Sequence, residues 1–150
     1  LLIAVVGFAF AAKGEHRTLL GQLVGVIGLS APSVPILLAG QVSVADSLAI
    51  WFTWLPGFSA TTFAVRSVIA AQKRQPRAAH AVILLVVTSL TGTGVAMQTR
   101  QCLAIIPMLA ASWYLYFRPP HAKYLKRVGW SLVGATLVSA VILALISRSA

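Results

Sequence analysis

Carboxylates are nearly missing from this chain: among 150 residues only Glu15 and Asp46 carry one. Magnesium-dependent transfer of a prenyl diphosphate needs clustered carboxylates to hold the ions, so this stretch alone cannot support it. Glycoside hydrolysis by a carboxylate pair fails on the same ground. Cysteine is almost as scarce. The single Cys102 has no partner for an intrachain disulfide or a thiolate metal site. The three histidines, His16, His80 and His121, are too scattered for a zinc site, and no HExxH pattern is present. No spacing supports a Ser-His-Asp arrangement. Gly92-Thr93-Gly94 lacks the further glycines and preceding strand of a nucleotide-binding loop. The sequence therefore predicts no catalytic residues, no metal and no cofactor.

What the chain has in abundance is apolar length. Apolar residues make up 59% of it, and the mean hydropathy is +0.90, values outside the ordinary range of a water-soluble domain. The apolar runs are Leu19–Ala39, Ser47–Ala71, His80–Met97, Cys102–Phe117 and Val128–Ile146. About 20 residues at about 1.5 Å rise cover the roughly 30 Å of a hydrocarbon core. Within lipid every backbone polar group must be satisfied inside its own segment, which makes each run a helix. The predicted fold is all-α, a polytopic transmembrane bundle of five full spans within a single domain, 1–150. Leu1–Ala12 is also apolar, but twelve residues rise only about 18 Å. No basic segment precedes it, as a signal peptide would require. It reads as the cytoplasmic half of an earlier, truncated helix, and the chain as part of a longer membrane protein.

Charge is confined to the connections and falls mostly on one side. Lys13 and Arg17, then Lys73, Arg74 and Arg77, then Arg118, Lys123, Lys126 and Arg127 account for nine of the twelve cations. Arg100 and Arg148 belong to the opposite set, and Arg66 lies within a span. Short basic loops are retained in the cytoplasm. The predicted location is the bacterial inner (plasma) membrane, with loops 13–18, 72–79 and 118–127 cytoplasmic. A net charge of +10 would fit a nucleic-acid binder only if its cations shared one folded surface. Here they cap spans, so the expected partners are membrane lipids, with anionic headgroups at the basic loops.

Local signals refine the spans. Thr18 suits an N-cap position. Gly21 and Gly25 leave a strip for close helix approach, the basis for expecting a helix-mediated oligomer. Pro32 and Pro35 predict a kink or fraying near Ser30. Asp46 is placed to cap the second span and to favour its dipole. Pro56-Gly57 predicts a bend in that span. Thr88, Ser89, Thr91, Gly92, Thr93 and Gly94 suit packing through small residues and hydroxyls. Trp113, Tyr114, Tyr116 and Phe117 form an aromatic belt at the cytoplasmic end of the run that contains Pro107. Val128–Ile146 has no ionisable residue and reads as a packing or lipid-facing helix.

The candidate polar site is Ser59, Thr62, Arg66 and His80. Ser59, Thr62 and Arg66 recur at helical spacing, continue to Lys73, and predict one inward-facing stripe leading to the cytoplasm. Arg66 lies five residues from its span's end, about 7.5 Å in depth, so its side chain can snorkel to the interface or pair structurally. The alternative reading is contact with a substrate or lipid. His80 reads as an interfacial imidazole at a helix start. Glu15 beside Arg17 reads as a solvated loop pair of little energetic weight.

The run Thr62-Phe63-Ala64-Val65-Arg66-Ser67-Val68-Ile69, then a short basic loop, then Ala79-His80-Ala81, resembles the YwiC-like bacterial membrane proteins. Ile106-Pro107 through Arg127-Val128-Gly129 resembles that family's last two spans, and Glu15–Leu20 its Glu-Arg-x-Leu-Leu loop. The chain departs from the family pattern at three points: Gly21-Gln22 stands for Asn-Asp, Ala110-Ala111 for an arginine position, and Leu132 for an acidic residue. The resemblance implies an architecture and not a reaction. The expected function is a multi-pass, permease-like membrane unit. One alternative is a lipid- or isoprenoid-modifying enzyme whose metal-binding half precedes this stretch, and another is a structural membrane subunit.

Overall fold

The computed structural model describes residues 18–97 and 99–148. The expectations for Leu1–Ala12, Lys13, Glu15, His16 and Arg17 lie outside that range. Among the described residues the chain is helical, without strands. Its helices are α1 (Leu19–Ser30), α2 (Ser33–Ala39), α3 (Val44–Gln72), α4 (Ala78–Ala96), α5 (Ile106–Phe117) and α6 (Leu125–Arg148), with 3₁₀ turns at Arg100–Ile105 and Ala122–Tyr124. Among the described residues four segments are long and apolar enough to cross a membrane: Leu19–Ala39, α3, α4 and Leu125–Ile146. The predicted Cys102–Phe117 run is instead a 3₁₀ turn followed by a twelve-residue helix. Pro107 is the reason. It has no N–H to give the Leu103 carbonyl, which accepts from Ile106 in a tighter i→i+3 bond.

The chain forms two compact units, Leu1–Leu55 and Pro56–Ala150. In the first, Thr18 is extended and its hydroxyl accepts from the Gly21 N–H at 3.1 Å, an N-cap as expected. The first apolar run breaks after Ser30 at Ala31-Pro32 and restarts at Ser33. Ser30 donates to Ile27 and Ser33 donates to Ser30, so hydroxyls occupy carbonyls at the break. The α2 helix closes in a Schellman motif: Gln41, at φ 63°, donates to Leu38, and Val42 donates to Leu37. Gly21 is buried, but a Cβ on Gly25 would meet nothing within 4 Å, so no described residue closes on that strip there.

The expectation that Asp46 caps α3 is corrected. The helix starts earlier, at Val44, and Ser43 is its cap: the Asp46 N–H donates to the Ser43 hydroxyl, which in turn donates to the Asp46 carboxylate at 2.7 Å. Asp46 is thus the third helical residue, its N–H capped by Ser43 and its carboxylate holding the Ser43 hydroxyl in place. The Trp51 indole donates to Ser30 at 2.9 Å, tying α3 to the end of α1. Lipid-type exposure is general in this unit, with Leu29 87% and Ile36 70% exposed.

In the second unit the helix continues through Pro56-Gly57 without interruption. Gly57 allows close approach here, because a Cβ would come within 2.8 Å of Met108 Sδ and 3.2 Å of Ile105 Cγ2. One apolar cluster joins Ala60 of α3, Leu84 and Val87 of α4, and Ile105 and Leu109. A second joins Ala64 and Val68 of α3, Leu115 of α5, and Val128 and Leu132 of α6. The α6 helix also packs along the Arg100–Ile105 turn. It buries Val128, Leu132, Ser139 and Leu143, spaced for one helical face, and exposes Trp130, Leu137, Val141 and Leu145.

Candidate functional site

Helix α5 returns alongside α4 in the opposite direction. At one end the Arg77 guanidinium donates to the Tyr116 carbonyl. Further along, the Trp113 indole donates to Thr88 Oγ1 at 2.9 Å. At the far end a Cβ on Gly94 would fall 2.5 Å from Cys102 Sγ. Gln72, at the last turn of α3, donates to the Pro120 carbonyl at 2.6 Å. The segment after α3 and the segment after α5 therefore meet at one end of this unit, and both are the basic ones.

The polar side chains of that end are organised by helix termini. The α3 helix ends in a second Schellman motif, with Arg74 at φ 53° donating to Ala71, and Gln75 donating to Ala70. Pro76 follows, and the chain re-enters helix with Arg77 at the N-cap position. The Tyr116 carbonyl lies in the last turn of α5, where carbonyls lack intrahelical donors. Arg77 supplies a donor and a charge that suits the negative helix end. Its guanidinium also lies 4.3 Å from the centroid of the Tyr116 ring. Tyr116 and Phe117 pack on Trp113, edge-on at 5.7 Å and stacked at 5.4 Å. Three residues of the expected belt, Trp113, Tyr116 and Phe117, thus form a cluster with Arg77 at the Tyr116 ring, while Tyr114 is exposed.

The four predicted site residues do not form one site. Ser59 is buried on the face of α3 that carries Ala60, Phe63, Ala64 and Ser67. Thr62 lies apart, half-buried, in an open groove of about 420 Å³ between α3 and α6, lined by Phe58, Thr61, Val65, Leu132, Val133 and Thr136 among others. Arg66 is half-buried at the edge of the buried face, so the inward stripe expected from Ser59 through Arg66 is corrected. At 100° per residue, Ser59, Phe63 and Ser67 are the positions that point inward. His80 packs towards the buried face of α3, its ring centroid 6.4 Å from that of Phe63. His80 Nδ1 and Arg77 Nε are buried without a hydrogen-bond partner among the described residues.

Sequence reading missed Arg77, which it counted only as a loop cation. The available signal was its position immediately before a helix start, opposite the aromatic end of the next apolar run. No group of three or more His, Cys, Asp or Glu side chains gathers among the described residues. Their only carboxylate, Asp46, is engaged by Ser43. No family model, curated protein or solved structure matches the chain.

Proposed function

We propose that this chain is a multi-pass bacterial inner-membrane protein of the YwiC-like type, a permease-like unit with five full crossings and cytoplasmic basic loops. The observation that carries the reading is the meeting of the two basic segments through Gln72–Pro120 and Arg77–Tyr116. In this reading the chain leaves that end through α4 and returns to it through α5, making two crossings. The Arg100–Ile105 turn at about 2.0 Å per residue and the twelve residues of α5 at about 1.5 Å together reach roughly 30 Å, one hydrocarbon thickness. The 3₁₀ start gives a segment too short as a pure α-helix the length it needs. Retention of short basic loops then assigns this end to the cytoplasm. The family likeness rests on the Thr62–Ile69 and Ile106–Gly129 stretches. The permease-like role is supported by polar side chains buried within the bundle, Ser59, Ser67 and Thr91 among them.

Single cysteines in a Cys102→Ala background test the topology in intact cells. Gln75→Cys and His121→Cys are expected to resist an impermeant thiol reagent, while Gln41→Cys and Thr99→Cys react. Labelling of His121→Cys with protection of Gln75→Cys would show that the Arg100–Phe117 segment does not cross. Labelling of both would reverse the orientation.

A further inference from the structure

We infer that the groove between α3 and α6 is a binding site for one anionic phospholipid, with an acyl chain along the groove and the phosphate at its basic end. The groove has an apolar floor. Phe58, Thr61, Thr62 and Val65 line it from α3, and Leu132, Val133, Thr136 and Leu137 from α6. Two of its three threonines turn their hydroxyls to their own helices: Thr61 donates to Phe58 and Thr136 donates to Leu132. Such a surface offers an alkyl chain contact without a desolvation cost.

Its direction is fixed by packing levels. Val65 and Leu132 belong to the same cluster, and one turn nearer the basic end so do Val68 and Val128. Following the groove faces by helical spacing leads from Val65 through Ile69 to Gln72, the last residue of α3, with Lys73 next in the chain. On α6 it leads from Val133 through Gly129 to Lys126. A Cβ on Gly129 would meet nothing within 4 Å, so the path stays open there. Lys73 and Lys126 are both exposed. Phe58 to Gln72 spans about 21 Å, which covers one leaflet of hydrocarbon, about 15 Å, plus the headgroup level. Nearby in sequence, the Tyr124 ring is flanked by Lys123 Nζ at 4.9 Å and Arg127 Cζ at 5.0 Å, which adds to the positive charge of this end of the unit. The occupant is thus specified by charge complementarity: a chain in the apolar part, an anion at the cations. Only the assignment to the inner leaflet rests on the cytoplasmic placement of the basic loops.

Native mass spectrometry of the full chain released from detergent micelles tests this without reference to orientation. With phosphatidylglycerol and phosphatidylcholine of equal acyl length supplied together, one phosphatidylglycerol is expected to remain bound in preference. The double variant Lys73→Gln/Lys126→Gln is expected to lower its retention about thirtyfold. Thr62→Phe, which fills the groove, is expected to abolish it, whereas Val82→Phe on the exposed face of α4 leaves it unchanged. Circular dichroism and gel filtration establish that each variant is folded, and if Thr62→Phe is not, the lysine pair decides. Equal retention of the two lipids would overturn the inference, as would an adduct indifferent to the lysine pair. A dimer that Thr62→Phe dissociates would assign the groove to a second copy of the chain. Loss of the adduct to millimolar inorganic phosphate in Thr62→Phe and wild type alike would reduce the site to a phosphate contact without a chain. Because labelling in cells reports sidedness separately, either result can fail alone.

Discussion

Arg77 is the residue on which the basic end is built. It joins three features that sequence alone keeps separate: a helix start, an orphan carbonyl and an aromatic face. Charge alone cannot do this, because the stacking needs a planar guanidinium and the bond a directed N–H. Arg77→Lys keeps the charge and is expected to lower stability by about 1 kcal/mol, and Arg77→Ala by about 2–3 kcal/mol. Thermal unfolding in detergent, followed by circular dichroism, measures both. Equal stability of the two variants and the wild type would remove Arg77 from the structural account. Arg66 differs in kind. Its position near the helix end was legible from the sequence. Its displacement from the Ser59 face was not, because a stripe of polar residues does not say which of its edges a neighbouring helix covers.

Most element boundaries could be read from hydropathy and caps. Thr18 and the break at Ala31-Pro32 follow from local chemistry, a hydroxyl before an apolar run and a proline within one. Two local readings failed for a reason they share: the competing residue lay just outside the apolar run. Ser43 precedes Asp46 and takes the cap, with the carboxylate as its reciprocal partner. Arg100 and Gln101 precede Cys102 and begin the 3₁₀ turn that Pro107 imposes. That turn lies against the end of α4, where Gly94 leaves room for Cys102. Gly94→Ala is expected to destabilise by about 1–3 kcal/mol, since the added Cβ would overlap Sγ. Adding Cys102→Ala removes the sulfur and leaves an ordinary contact at 3.5 Å, so the double variant should recover most of the loss. Strict additivity in thermal unfolding would mean that the turn does not pack there.

At the scale of the molecule, the cation asymmetry and the contacts at the basic end are independent observations that agree. One is a pattern in the sequence; the other is a pair of hydrogen bonds between residues more than 35 positions apart. What the sequence could not supply is the pairing of helices, because lipid solvates every apolar face equally and hydrophobicity alone favours no partner. Small residues and side-chain polar bonds make that choice here: Gly57 against Met108, Gly94 against Cys102, Trp113 against Thr88. The central claim is that the segments following α3 and α5 share one end of the unit. Gln72→Cys/Pro120→Cys in a Cys102→Ala background, treated in membranes with a short thiol-to-thiol cross-linker and read by mass spectrometry of the joined peptides, tests it most directly. A linked peptide pair within single chains is the expected result; two cysteines that each react with a monofunctional thiol reagent yet never link would contradict it.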